Sequence, residues 1–406
     1  MKKIELTNSV KTPRDWQIEC THKALTWLTE TKKDNRFLVN AAPGSGKTIC
    51  ASWIADNLFD KKEIEKVIVI APRSEVVDQW ANEYKQITGR NMLRITGTVS
   101  DSEELDSDLC STWSAIKGLS EAYQIICNTK KTLVICDESH HASIEAAWGI
   151  GAMKSFNNAK YVLLLTGTPY RSDDEQTVFL ELDNSGTISH PVDGSYEITY
   201  GRAVDEGYCR PITFHRHDAN LKVVSKQGDV VADVSRNQTV ISKDYQIFKS
   251  LQKSLNFYQT ALTIPLKPDG KTREYQNSYH KSMLEAGFAK LEDIRDEIPN
   301  AGGLIIAPKI EIAEYMSELI EMMTGEKPVL VHHDSKGSDR KIKDFRDSNK
   351  KWIVSVKMIS EGVDIPRLRI LVYLPSDLTQ LFFRQAMGRV VRNLHLDDDS
   401  RAYVVM

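Results

Sequence analysis

Phe37-Leu38-Val39-Asn40-Ala41-Ala42-Pro43-Gly44-Ser45-Gly46-Lys47-Thr48 is the stretch that decides the fold of this chain. An apolar run, a glycine-rich turn and a helical pattern from Ile49 follow one another directly. Such a turn aims successive backbone N–H groups at one point, and the N-terminus of the following helix adds partial positive charge. The pattern predicts a polyphosphate site on a strand–turn–helix unit, with Pro43, Gly44, Ser45 and Gly46 forming the cradle. Lys47 then reaches the outer phosphates of a nucleoside triphosphate, and the Thr48 hydroxyl holds Mg²⁺. Ala41 stands where the common form of this loop has glycine.

Around that loop, the 406 residues suffice for two or three domains, each with its own core. With 41% hydrophobic and 27% charged residues, the composition is that of an ordinary soluble globular protein. No apolar run approaches the roughly 20 residues that span a bilayer. Met1-Lys2-Lys3-Ile4-Glu5 lacks the apolar segment of a secretory signal. Six scattered cysteines, with no C-x-x-C pair, fit free thiols in a reducing compartment. A cytoplasmic protein with no membrane partner is expected. The formal net charge of −3 gives no whole-molecule attraction to nucleic acid, so any such surface must be a local groove.

Short β-branched runs alternate with longer helical patterns, which predicts parallel sheets covered by helices on both faces. One series includes Phe37–Val39, Val67–Ile70, Leu133–Cys136 and Tyr161–Leu165, and a second runs Leu304–Ile306, Val329–Val331, Trp352–Val356, Ile370–Leu374 and Ala402–Val405. The fold class is therefore α/β, with one domain over residues 1–190 and another over 300–406. Residues 191–299 between them combine alternating strand patterns with two helical ones, Val240 to Leu262 and Tyr279 to Ile294. They are expected to form connector strands and helices that pack on the second domain, or a small insertion. No internal repeat stands out. The chain ends within an apparent strand, Tyr403-Val404-Val405-Met406, as a chain cut short at its C-terminus would.

Asp137-Glu138-Ser139-His140 follows the strand Leu133–Cys136 directly. A phosphate–Mg²⁺ site needs a carboxylate near the metal, commonly through water, and a base to orient the attacking water. Adjacent residues at a strand's end can divide these roles, Asp137 to the metal and Glu138 to the water. Thr166-Gly167-Thr168-Pro169 follows another apolar strand, and the hydroxyls of Thr166 and Thr168 at that edge can couple hydrolysis to movement. Farther on, Gln385-Ala386-Met387-Gly388-Arg389-Val390-Val391-Arg392 places two arginines three apart, which on a helix project from one face. Guanidinium groups that keep their charge suit a phosphoryl transition state.

In this order the motifs resemble the superfamily 2 helicases and translocases, in particular the DExH branch that includes type III restriction-enzyme motor subunits. The resemblance covers nearly the whole chain. It implies two RecA-like domains, ATP with Mg²⁺ in the cleft between them, and nucleic acid bound across both. Lys47, Asp137, Glu138, Arg389 and Arg392 are the catalytic set it implies, with His140 joining the two threonines in coupling. Arg14 and Gln17 look like the upstream adenine-reading element. Gly362-Val363-Asp364-Ile365-Pro366 resembles the motif whose aspartate approaches the nucleotide, so Gly362, Asp364 and Gln385 join the nucleotide contacts. Pro72-Arg73, Thr96-Gly97 and Thr112-Trp113 resemble strand-contacting motifs, and Lys309, Lys357 and Ser360 are further candidates. Trp113 either stacks a base or belongs to the core.

A nucleic-acid motor is expected on these grounds, with DNA favoured over RNA, single- or double-stranded, and room for a protein partner that supplies specificity. Two alternatives stay open. One is a translocase that moves on duplex DNA without separating strands, and the other is an ATP-gated interaction module indifferent to nucleic acid.

Overall fold

The computed structural model describes residues 12–95, 107–138, 147–167, 178–182, 188–215, 221–224, 230–234, 239–241, 262–267, 269–276, 278–356, 365–374, 380–393 and 401–406. The chain divides into two compact units, Met1–Cys209 and Arg210–Met406.

In the first unit, helix α1 (Asp15–Leu25) runs into a π-helical turn and then strand β1 (Arg36–Ala41). Helix α2 (Lys47–Asp60), β2 (Lys66–Ala71), helix α3 (Ser74–Thr88), β3 (Met92–Ile95) and β4 (Asp108–Thr112) follow. Next come helix α4 (Ile116–Thr129), β5 (Thr132–Asp137), helix α5 (Ala147–Phe156) and β6 (Tyr161–Thr166). A short antiparallel pair, β7 (Glu181–Leu182) and β8 (Ile188–Ser189), leads to β9 (Ser195–Ile198) and helix α6 (Tyr200–Asp205).

Seven strands form one sheet in the order β3-β4-β2-β5-β6-β1-β9, with every pairing parallel. Every residue of β2, β5 and β6 is buried, as both faces of a covered parallel sheet require. Because the strands are parallel, the segments that follow β1, β2, β4, β5 and β6 all emerge at one edge. Strand β9 lies in the stretch that patterning assigns to the connector, yet it pairs with β1 in the first sheet.

The second unit opens with β10 (Ile212–His215). An antiparallel sheet of β11 (Leu221–Val224), β12 (Val230–Val234) and β13 (Thr239–Ile241) follows. Val240 and Ile241, which the helical spacing places at the start of a helix, are thus strand residues. They are β-branched and pair with Asp233 and Ala232. The rest of that pattern up to residue 261 lies outside the described residues.

Helix α7 (Tyr279–Glu297) packs on the main sheet through Met283, Leu284 and Leu291. Then come β14 (Gly302–Ile306), helix α8 (Ile310–Thr324), β15 (Val329–Val331), helix α9 (Ser338–Arg346) and β16 (Trp352–Ser355). Strand β17 (Leu368–Tyr373), helix α10 (Gln380–Met387) and β18 (Ala402–Val405) complete the chain. The sheet order is β10-β18-β17-β14-β16-β15, again parallel throughout. Among the described residues, no helix is long and apolar enough to cross a membrane. All six cysteines are free and buried.

Candidate nucleotide and nucleic-acid sites

The loop after β1 carries the predicted cradle. Gly46 sits at φ +100°, where a side chain would be strained, and an added Cβ would also lie 2.8 Å from the Gln17 amide nitrogen. That amide donates to the Gly46 carbonyl at 3.0 Å, and the Arg14 guanidinium donates to the Ser45 carbonyl at 2.9 Å. The Arg14 backbone N–H in turn donates to Gln17 Oε1 at 2.8 Å, so the two residues form one clamp. The upstream element therefore grips the backbone of the phosphate loop. Ser45 is fully buried, and its N–H and hydroxyl both turn back to the Ala42 carbonyl, at 3.1 and 2.7 Å. Its hydroxyl shapes the loop. The first amides of α2, at Lys47 and Thr48, have no acceptor within the helix and can turn to a phosphate.

Lys47 Nζ donates to Glu138 Oε1 at 2.9 Å, across ninety-one positions of sequence. Glu138 adopts φ 50°, in the left-handed region that costs a non-glycine residue on the order of 1 kcal/mol. Parallel pairing of β5 with β6 and of β6 with β1 brings these loops to the same edge. Gly167 closes against them, since a Cβ there would meet Lys47 Nζ at 2.7 Å and the Ala41 carbonyl at 3.3 Å. A side chain there would displace the Lys47 ammonium. Thr166 is fully buried at the end of β6.

Asp137 is held from two sides. Trp80 Nε1 donates to Asp137 Oδ2 at 2.8 Å, and Trp113 Nε1 donates to the Asp137 carbonyl at 3.0 Å. Burial, with the neighbouring Glu138 charge second, pushes the Asp137 carboxyl up to about 6. A carboxylate in that condition gains from a divalent cation beside it. Trp113 is 2% exposed, so it belongs to the core and offers no face to a base. Trp80, fully buried on α3, is the orienting partner that sequence reasoning did not find. Its only sequence signal is an aromatic N–H on the apolar face of an amphipathic helix, which needs a buried acceptor. Thr112 ends β4, and its hydroxyl lies 2.9 Å from that of Ser114.

The donors and acceptors suit a triphosphate with magnesium. Lys47 already meets one anion, Gly44 and Gly46 take the positive φ that a phosphate-binding turn requires, and the buried Asp137 carboxylate sits beside a second carboxylate. Among the described residues, no group of three or more metal-ligating side chains forms a separate site.

In the second unit, residue spacing puts Arg389 and Arg392 on one helical face, but α10 ends at Met387. Gly388 favours the stop. Arg389 N–H then donates to the Ala386 carbonyl at 3.1 Å and Val390 N–H to the Met387 carbonyl at 3.0 Å, tightening the last turn. Both arginines therefore lie in and after a turn, and both are half-buried. Gln385 is buried on α10 itself. Lys309 is exposed and caps α8, in extended conformation at φ −144° and ψ 159°. Arg73 caps α3 in nearly the same conformation, φ −149° and ψ 162°. Pro72 precedes it, as Pro308 precedes Lys309. Thr96, Gly97, His140, Thr168, Lys357, Ser360, Gly362 and Asp364 lie outside the described residues.

A phosphate loop and an acidic pair at the edge of one parallel sheet, followed by a second parallel sheet with paired arginines, define a tandem RecA-like motor fold. Residues 10–171 match the family Type III restriction enzyme, res subunit, and residues 288–393 match the Helicase conserved C-terminal domain. These two matches, one in each unit, support a superfamily 2 helicase motor similar to the restriction type.

An uncharacterised protein of Mycobacterium leprae is 30% identical over 96% of this chain and 61% of its own length. The chain thus spans about three-fifths of that relative. The DNA 3'-5' translocase XPB2 of Sulfurisphaera tokodaii is 23% identical over 93% of this chain and 78% of that protein. Among solved structures, the ATP-dependent Type ISP restriction-modification enzyme LlaBIII bound to DNA is similar over 98% of this chain and 28% of that one. It has a TM-score of 0.60 at 18% identity. S. cerevisiae Dbp5 bound to RNA and ADP BeF3 is similar over 96% and 83%, with a TM-score of 0.52 at 12% identity. At such identities these two speak for the fold alone.

Proposed function

We propose that the chain is an ATP- and Mg²⁺-dependent nucleic-acid motor whose preferred track is DNA. The observation that carries the proposal is the Lys47–Glu138 pair at the carboxyl edge of the first sheet. Bound MgATP supplies the bond to be broken and the metal charge. The chain's own residues do the rest. Lys47 exchanges a carboxylate for phosphate oxygens, and Glu138, released from the lysine, orients water. Asp137 holds the metal, commonly through water, with Trp80 and Trp113 fixing its position. Arg389 and Arg392 compensate the charge that develops on the transferred phosphoryl group.

Arg73 and Lys309, each at the start of a long helix, take backbone phosphates of the track. DNA is favoured because relatives named for restriction and DNA translocation span much of the chain.

ATP turnover of the chain, measured alone and with single- and double-stranded DNA and RNA, tests the proposal. DNA is expected to raise turnover by about tenfold or more. Glu138→Gln is expected to bind a fluorescent ATP analogue normally and to hydrolyse ATP at least about a hundredfold more slowly. No stimulation by any nucleic acid would exclude the motor, and near-normal hydrolysis by Glu138→Gln would remove that residue from its role.

A further inference from the structure

We infer that Arg210 is a positioning residue for the arginine-bearing turn, which rests on the roles proposed above for Arg389 and Arg392. Arg210 is the first residue of the second unit and is 1% exposed. Its backbone N–H donates to the Val391 carbonyl at 2.6 Å, and its guanidinium donates to the Arg392 carbonyl. These carbonyls belong to the segment just beyond α10, where the helix can no longer satisfy them. Val390 and Val391 are buried, so the backbone on which Arg392 stands is anchored from inside while the Arg392 side chain keeps partial exposure.

The residues just before Arg210 are tied to the nucleotide end of the first unit. The Cys209 thiol donates to the Pro43 carbonyl at 3.5 Å, and the Arg14 guanidinium lies 4.9 Å from the centroid of the Tyr208 ring. Arg210 sets the position from which Arg392 acts.

A second buried arginine shows what a merely structural one looks like. Arg367 is 7% exposed and donates to the carbonyls of Asn300 and Lys350, just before strands β14 and β16, and to that of Phe345 near the end of α9. Losing Arg367 should lower stability and leave the chemistry of folded protein alone.

Full-chain variants assayed for DNA-stimulated ATP turnover and for affinity toward a fluorescent ADP analogue test the inference. Arg210→Ala and Arg210→Lys are expected to lower kcat about tenfold with KM for ATP and ADP affinity within about twofold, because lysine keeps the charge but loses the fork of donors. Because Arg210 acts through Arg392, the double variant Arg210→Ala/Arg392→Ala should turn over no more slowly than Arg392→Ala alone. Arg367→Ala should lower the melting temperature and leave kcat unchanged.

Should Arg210→Ala fail to fold, Arg210→Lys carries the test. Wild-type kcat in the folded Arg210 variant, beside a slowed Arg392→Ala, overturns the inference alone, as do fully multiplicative losses in the double variant. Wild-type kcat in Arg392→Ala overturns the arginine role itself, and the inference falls with it.

Discussion

The two units share a strand–turn–helix of equal length, Ala71–Gly89 and Ala307–Gly325, yet their carboxyl edges carry different chemistry. In each, a buried strand leads into Ala-Pro, an extended basic residue caps a fifteen-residue helix, and the helix stops at glycine. At the amino edges both units bury charge and satisfy it. Asp108 accepts from Val67 N–H, the Tyr84 hydroxyl and Arg90 Nε at 2.7 to 2.9 Å, and Arg367 donates to three carbonyls. At the carboxyl edge of the first unit, Asp137 is buried against a neutral indole N–H and next to another carboxylate. One unit thus keeps an uncomfortable charge at the edge that carries the phosphate loop. The second unit keeps a strongly perturbed buried group, His280, on helix α7 of its core.

Asp137→Asn separates the two kinds of burial with the largest expected effect. Loss of the metal-holding charge should cut ATP turnover about a thousandfold. The same change should stabilise the first unit in the absence of nucleotide. A carboxyl whose folded pKa is raised to about 6 binds protons more tightly when folded. Its favourable contribution is complete below about pH 4 and is lost as pH rises through about 6. At pH 7.5 the neutral amide should therefore gain on the order of 3 kcal/mol over the wild type, and the gain should vanish near pH 4. Hydrogen exchange of β5 amides at the two pH values reads the difference. No gain at pH 7.5 would mean that Asp137 is as well satisfied as Asp108.

His280 supplies the opposite case. It is fully buried on α7, edge-on to Tyr315 with ring centroids 5.2 Å apart, and burial lowers its pKa to about 4. Neutral imidazole is favoured in the fold, so stability is complete above about pH 6.5 and is lost as pH falls toward 4. By pH 5 the second unit should have lost about 2 kcal/mol on this account. His280→Leu should remove that dependence while leaving ATP turnover at pH 7.5 unchanged. Exchange protection of the α7 amides at pH 5 and 7.5 checks it, and equal acid sensitivity in the variant would assign the loss to other groups.

How much of this was legible in the sequence follows from how local each feature is. The phosphate loop, Asp137-Glu138 and the apolar strands lie in short contiguous runs, so patterning finds them. Strands β3 and β4 escape it because Arg94, Asp108, Ser111 and Thr112 interrupt the apolar period even though β4 is wholly buried. Trp80 and Trp113 converge on Asp137 from fifty-seven and twenty-four positions away, which only the assembled sheet and its helices bring together. The three-residue spacing of Arg389 and Arg392 mimics a helix that Gly388 ends. Arg210 looks like any arginine before a proline until its carbonyl partners are known. The repeated helix unit hides because only its ends agree, while the side chains between face different cores.

The smallest expected effect tests whether that repeat is functional. Arg73 and Lys309 occupy matching cap positions, with helix amides behind them, and two equivalent phosphate grips would give a motor one hold on each unit. Each alanine substitution should then weaken binding to single-stranded DNA by about 1 kcal/mol and lower the salt slope of binding by about 0.7. The two losses should add, because the sites hold different phosphates. Fluorescence titration of a labelled oligonucleotide at several salt concentrations measures both quantities. If Lys309→Ala is silent while Arg73→Ala weakens binding, the repeat in the second unit reflects only a shared way of turning from strand to helix. The DNA grip would then belong to the unit that also carries the phosphate loop.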